Sequence, residues 1–151
     1  MKRIFYPHDL THIPAIVWGR EKEATALSTY TDHHKKNGNG GVTVSKSGFH
    51  VSETHPFLGA SPDRCVYDPH SPNDPYGFLE IKCPYKYREV SPTLACSDKD
   101  FCGFFDKNYL FHLKQSHKYY AQVQGQMAIE KQNWCDFAVD NPRNTSRTYS
   151  L

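Results

Sequence analysis

The hydrophobic pattern changes period along the chain, and those changes divide it into elements. From Ala15 to about Tyr30, Ala24, Leu27 and Tyr30 recur at helical spacing while Glu21, Lys22 and Glu23 fill the other face, which predicts an amphipathic helix. Glu23 borders the apolar stripe. Residues 32–41 hold His33, His34, Lys35, Lys36 and a Gly/Asn cluster, and predict a surface loop. Val42-Thr43-Val44 and Phe49-His50-Val51 alternate around Ser47-Gly48 and predict a hairpin, with Glu53 at its strand end. A Pro-rich loop over 68–76 separates a strand near Cys65–Tyr67 from a second over Gly77–Lys82. In that second strand Leu79 and Ile81 alternate with Glu80 and Lys82. The apolar pair therefore faces a core and the charged pair shares the other face. Pro84, which has no N–H to give a ladder, ends it. The longest helical signal runs from Phe105 to about Lys131. Leu113, Tyr120, Val123 and Met127 form one face, and Tyr119, Gln122 and Gln126 an adjacent one. Trp134–Val139 predicts a buried strand. Residues 1–14 read as irregular and 141–151 as a frayed polar tail, leaving one domain over 15–140.

Composition narrows the picture. A chain of 151 residues can bury a single core. With 38% hydrophobic and 14% aromatic residues, its apolar weight lies on Tyr and Phe. A net charge of +2 does not by itself imply nucleic acid, so a local basic groove would have to supply the attraction. Tyr85, Lys86, Tyr87 and Arg88 interleave aromatic and basic groups in a way that suits phosphate contact and stacking. Lys114 and Lys118 add positive charge beside Tyr119. The five cysteines form no CxxC pair. Their odd count and irregular spacing argue against a disulfide framework and for a reducing, intracellular compartment, cytoplasm or nucleus. No segment has the apolar run of a signal peptide or the length of a membrane span.

The chemistry gathers on Ser61-Pro62-Asp63 and Glu80-Ile81-Lys82. Pro62 forces Ser61 into an extended conformation, so Asp63 is presented on a stiff turn. Cleaving a phosphodiester needs an activated water, neutralised phosphoryl oxygens and help for the leaving oxygen, which carboxylate-held Mg²⁺ can supply. Mg²⁺ takes oxygen ligands and keeps several waters, so two or three carboxylates suffice; Mn²⁺ is a possible substitute. Asp63 and Glu80 are the expected main ligands, with the Ile81 carbonyl as a further one. Lys82 is expected to orient or deprotonate the water and to screen developing charge. Glu23 and Glu53 are candidate outer ligands, and Gln122 a positioning residue. A competing reading is a DNA-binding or assembly module of the same fold without turnover. Another is a zinc-stabilised interaction domain built on Cys96, Cys102, His112 and His117, at spacings wider than structural zinc sites usually use.

Ser61-Pro62-Asp63, then Leu79-Glu80-Ile81-Lys82-Cys83-Pro84, then Tyr120-Ala121-Gln122-Val123-Gln124 resembles the YqaJ-type viral recombinase domain. This group includes the phage lambda exonuclease and lies within the PD-(D/E)XK restriction-endonuclease-like nucleases. Trp18-Gly19-Arg20-Glu21-Lys22-Glu23 resembles the family's first-helix motif, with Glu23 on its acidic position. Gly41–Val44 resembles its first strand, and Glu53 falls where the family can place an acid. The resemblance covers roughly residues 16–140 in order. It implies an α/β (α+β) restriction-endonuclease-like fold, a central mixed β-sheet flanked by helices. It also implies a Mg²⁺-dependent 5′-to-3′ exonuclease acting on double-stranded DNA ends in recombination or end processing. Asp63 and Glu80 become metal ligands, Lys82 the catalytic lysine, and Gln122, Glu23 and Ser61 supporting residues. Expected DNA contacts are Arg64, Lys86, Tyr87, Arg88, Lys118 and Tyr119. The lambda-type enzyme is a ring-shaped homotrimer, so a homo-oligomer and a recombination partner protein are expected partners besides DNA. Arg64 replaces the glycine that often follows the acid and is free to touch a phosphate instead. Residues 1–14 lack the family's Arg- and Ser-bearing motif, and a further strand and helix are expected after Val139, so the chain reads as a domain truncated at both ends.

Overall fold

A computed structural model describes residues 10–36, 41–141 and 144–147. Helix α1 (Pro14–Lys36) begins with proline at its first position, where the missing N–H costs nothing. It does not stop near Tyr30. The His33-His34-Lys35-Lys36 run expected to be a loop forms its last turn, where cations complement the negative end of the helix dipole.

Strands β1 (Thr43–Lys46), β4 (Arg64–Tyr67), β5 (Tyr76–Lys82), β8 (Cys135–Asn141) and β9 (Asn144–Arg147) form one sheet in the order β1-β4-β5-β8-β9. Only β5 and β8 run parallel, so the sheet is mixed, as expected. The β4–β5 hairpin around the Pro-rich loop is as expected. The hairpin expected over 42–51 is not formed. β1 pairs with β4, placing Val44 opposite Val66, while β2 (His50–Val51) pairs with β3 (Gly59–Ala60) in a small separate sheet. The tail expected to fray carries β9, and residues 148–151 lie outside the described residues.

The two faces of β5 and β8 build two cores. Leu79, Ile81 and Ala138 pack with Ala26 and Tyr30 of α1. Phe78, Cys135, Phe137 and Val139 pack with Val123 and Met127 of α3 (Lys118–Glu130). The helices thus cover opposite faces, and each fully buried Leu, Val or Phe contributes about 1.5–3 kcal/mol. Tyr30 also donates its hydroxyl to the buried Asp136 carboxylate at 2.6 Å. Between β5 and α3 lie a 3₁₀ turn (Tyr85–Tyr87), a short helix α2 (Pro92–Ala95) and the hairpin β6 (Gly103–Phe105) and β7 (Phe111–Leu113).

That hairpin corrects the expected long helix from Phe105, because α3 begins only at Lys118. Asp106 accepts the N–H groups of Asn108 and Leu110 at 2.8 and 2.9 Å, and Tyr109 takes a positive φ, which closes a turn. Leu113 is buried from a strand, not from a helix face. His117 caps α3 by accepting the Tyr119 N–H at 3.2 Å.

Gly77 places β5 against Trp134. A Cβ there would intrude on the indole, whose Nε1 is fixed by donating to the Asp74 carbonyl at 2.9 Å. Gly77→Ala is therefore expected to cost about 1–3 kcal/mol, the usual range for overpacking, read as a lower midpoint in chemical denaturation.

Candidate active site

The strand register creates the site. β4 begins at Arg64, opposite Leu79, so the next N–H along that edge of β5, from Ile81, has no strand partner. Asp63 supplies one: its Oδ2 accepts that N–H at 2.8 Å. Continuing the antiparallel register one step sets Asp63 opposite Glu80. Pro62, buried beside it, stiffens the turn.

Glu80 is 1% exposed and points toward α3. Its Oε1 accepts from Lys82 Nζ and from Gln122 Nε2, the latter at 2.6 Å, and its Oε2 accepts from Gln126 Nε2 at 3.2 Å. Gln122 and Gln126 are four apart on α3 and so lie on one face. Gln126 was not among the expected site residues. Its signal was that spacing, read as a shared face without being tied to Glu80. Tyr119, on the same helix, sits 5.0 Å from Lys82 Nζ by its ring centroid.

Asp63, Ile81, Lys82, Tyr119, Glu23, Arg20 and Tyr85 line one open cleft of about 410 Å³. Burial, and then the Glu80 carboxylate, raise the Asp63 pKa above its ordinary value, against the Ile81 N–H and Lys82. For Lys82, burial favours the neutral amine, but the Glu80 carboxylate, its hydrogen bond and Asp63 outweigh it and raise the pKa. The lysine is therefore held as an ammonium, which suits orienting and charge screening better than taking a proton.

An oxygen-preferring divalent cation fits this arrangement. Asp63 lines the cleft with Glu80 buried behind it; burial first, and the Glu80 charge second, make Asp63 hold its proton more tightly than usual, and a cation would relieve that unfavourable negative charge. Asp63 and Glu80 would hold it. The Ile81 carbonyl lies on the same side of β5 as its N–H and so faces Asp63. Among the described residues no three His, Cys, Asp or Glu side chains converge on one metal-sized point, so the acid set here is a pair.

Other expected residues are placed differently. Glu53 lies in a separate cavity with His50, Glu130 and Lys131, and pairs with Lys131 at 2.6 Å. It is removed because β2, which it follows, belongs to the small second sheet. Glu23 does reach the cleft, where Arg64 Nη2 contacts it at 2.6 Å, so Arg64 is tied to a carboxylate instead of projecting freely. Ser61 is exposed and does not line the cleft. In the 3₁₀ turn, neighbouring side chains point about 120° apart. Lys86 and Tyr87 are accordingly held by Asp98 at 2.7 and 3.0 Å, and Tyr85 is the residue facing the cleft. Arg88 lies over the Tyr85 ring, and Lys118 over Tyr119. The four expected zinc ligands do not assemble: His112 bonds Asp106 at 3.0 Å, His117 caps α3, and burial pushes the Cys102 thiol up to about 12, away from the thiolate zinc requires.

The model of the YqaJ-like viral recombinase domain matches residues 1–133. The chain belongs to this family. Crystal structures of the alkaline exonuclease from Laribacter hongkongensis match the YqaJ-like domain with a TM-score of 0.60. One is 25% identical, over 91% of this chain and 58% of that one. The other, in complex with dAMP, is 26% identical, over 91% and 57%. The YqaJ-like chain thus spans less than two thirds of the length of those proteins. Among curated proteins none matches significantly. The fold expected from the resemblance is the fold found. No helix among the described residues is long and apolar enough to cross a membrane.

Proposed function

We propose that this YqaJ-like domain is a Mg²⁺-dependent exonuclease on double-stranded DNA ends, working 5′ to 3′ in recombination or end processing. The observation that carries the reading is Asp63 and the Lys82 ammonium lining one cleft, with the buried Glu80 holding Lys82 from behind, although Asp63 is 17 residues from Glu80 in sequence. The bound cation would polarise the phosphoryl oxygen and lower the pKa of a coordinated water. Lys82 holds the attacking water and screens the negative charge that grows on the phosphoryl oxygens. Gln122 and Gln126 fix the Glu80 carboxylate so that it does not swing on binding. Glu23 with Arg64 shapes the outer wall. A homotrimer and a recombination partner protein accompany this reading by family resemblance.

The test uses linear duplex DNA labelled at either 5′ or 3′ ends, with covalently closed circles as control. Mononucleotide release from the 5′ label first, only on linear DNA, only with Mg²⁺ or Mn²⁺ and abolished by EDTA, is the expected result. Binding without cleavage at every metal concentration would replace it with the DNA-binding module. Cleavage of closed circles would replace the exonuclease with an endonuclease.

A further inference from the structure

Beside the cleft, two cations are seated on aromatic rings. Trp18 of α1 and Tyr85 of the 3₁₀ turn meet edge to face, with centroids 6.1 Å apart. Lys22, one helical turn from Trp18, places its Nζ 4.9 Å from the Trp18 centroid. The Arg88 guanidinium lies 4.0 Å from the Tyr85 centroid and donates from Nη1 to the Tyr85 carbonyl at 3.0 Å. Tyr85 lines the cleft with Asp63 and Lys82, and Arg20 lines it as well.

Lys22 and Arg88, like Lys118 over Tyr119, sit on ring faces, whereas several other cations around the site are held by carboxylates. Arg64 is paired with Glu23, Lys82 with Glu80 and Lys86 with Asp98. Arg20, Lys22 and Arg88 form no ion pair among the described residues. A carboxylate partner would cancel their charge. A ring face holds a cation in place, by about 0.5–1 kcal/mol at an exposed site, and leaves its charge available to an anion. The covered faces of Trp18 and Tyr85 are correspondingly poor platforms for stacking bases.

We propose that Lys22 and Arg88, with Arg20, clamp backbone phosphates of the DNA strand flanking the scissile bond, and that Trp18 and Tyr85 act as positioning residues for those cations. The proposal rests on the reading of the cleft as a DNA site, and deepens it. The clamp grips phosphates away from Asp63 and Glu80, so it governs DNA affinity and not the bond-breaking step.

The test is kcat/KM on linear duplex DNA with Mg²⁺ across a salt series. Each lost phosphate contact reduces the slope of log kcat/KM against log salt by about 0.9. The Lys22→Gln/Arg88→Gln double variant should therefore lose about tenfold less activity than wild type between 50 and 200 mM salt. Its deficit at low salt should lie in KM and not in kcat. Trp18→Leu should reproduce the Lys22→Gln slope at an unchanged melting temperature, and Trp18→Phe should restore the wild-type slope. A double variant with the wild-type slope, on a wild type that cuts DNA, overturns the clamp while leaving the nuclease reading intact. A wild type that neither cuts nor binds duplex overturns both. A kcat deficit without a KM change assigns these cations to chemistry and overturns the clamp.

Discussion

Lys82→Ala is expected to lower cleavage of linear duplex DNA by about 10²–10⁴-fold, the range typical of a lost acid–base or charge-screening group. Among the described residues, the same substitution removes the only ammonium on Glu80, a carboxylate 1% exposed, and leaves its charge to the amides of Gln122 and Gln126. Breaking a buried pair by deleting one partner costs about 3–5 kcal/mol. Lys82 keeps 19% of its side chain exposed, so water compensates part of that and the low end is expected. The sign with pH follows from the direction of the shift. Lys82 has a raised pKa in the folded protein, so its stabilisation is complete below the ordinary lysine value and disappears as pH rises through the folded value. Wild type and Lys82→Ala should differ in denaturation midpoint at neutral pH and converge only in strong alkali. Lys82→Arg separates the two roles, because it restores positive charge beside Glu80 while the planar guanidinium cannot reproduce the position of Nζ. Stability should return and cleavage should not. Lys82→Ala cutting within tenfold of wild type would show that the ammonium is only a structural counter-ion.

The parts of this site that could be read in the sequence are those fixed by short-range geometry. Period-two alternation alone sends Glu80 and Lys82 to one face and Leu79 and Ile81 to the other, and the structure keeps both assignments. Pairing between strands is different, because it is decided by what lies across the sheet. Ser47-Gly48 is an acceptable hairpin turn, yet β1 joins β4, which brings Val66 opposite Val44 and sets that valine against the α1 core. This choice leaves Glu53 in the bend after β2, beside the small sheet, which is why its position near the acids in the sequence was misleading. The long helix expected from Phe105 failed for a related reason. Phe105, Phe111 and Leu113 are as much strand formers as helix formers, and the Asp106 turn decides between the two. Gln126 and Tyr85 were each one residue choice away. Both lie in segments already marked for the site, but the face that meets Glu80 or the cleft depends on where α3 and the 3₁₀ turn begin.

Asp63→Asn is expected to abolish metal-dependent cleavage while leaving the fold as stable as wild type or more so. The amide oxygen can still accept the Ile81 N–H that Asp63 Oδ2 accepts at 2.8 Å, so the edge of β5 stays satisfied. What disappears is a negative charge that the fold disfavours: burial first, and Glu80 next, raise the Asp63 pKa. A raised carboxyl pKa means that the folded state binds its proton more tightly than the unfolded chain. Asp63 therefore favours folding below its unfolded pKa, and that benefit fades as pH rises through the folded value. Relative to Asp63→Asn, wild type should be least stable above that range and should gain on the variant as pH falls. Without one of its two carboxylates the site loses affinity for the divalent ion, and polarisation by a metal is worth several kcal/mol, or on the order of a thousandfold in rate. Thermal melts from pH 4 to 8, run without metal and again with Mg²⁺, measure both halves. Mg²⁺ should raise the melting temperature of wild type and not of Asp63→Asn, since only a state that binds the ion is stabilised by it. A variant that melts well below wild type at neutral pH would make Asp63 a structural turn residue, and equal Mg²⁺ stabilisation of both proteins would place the ion elsewhere.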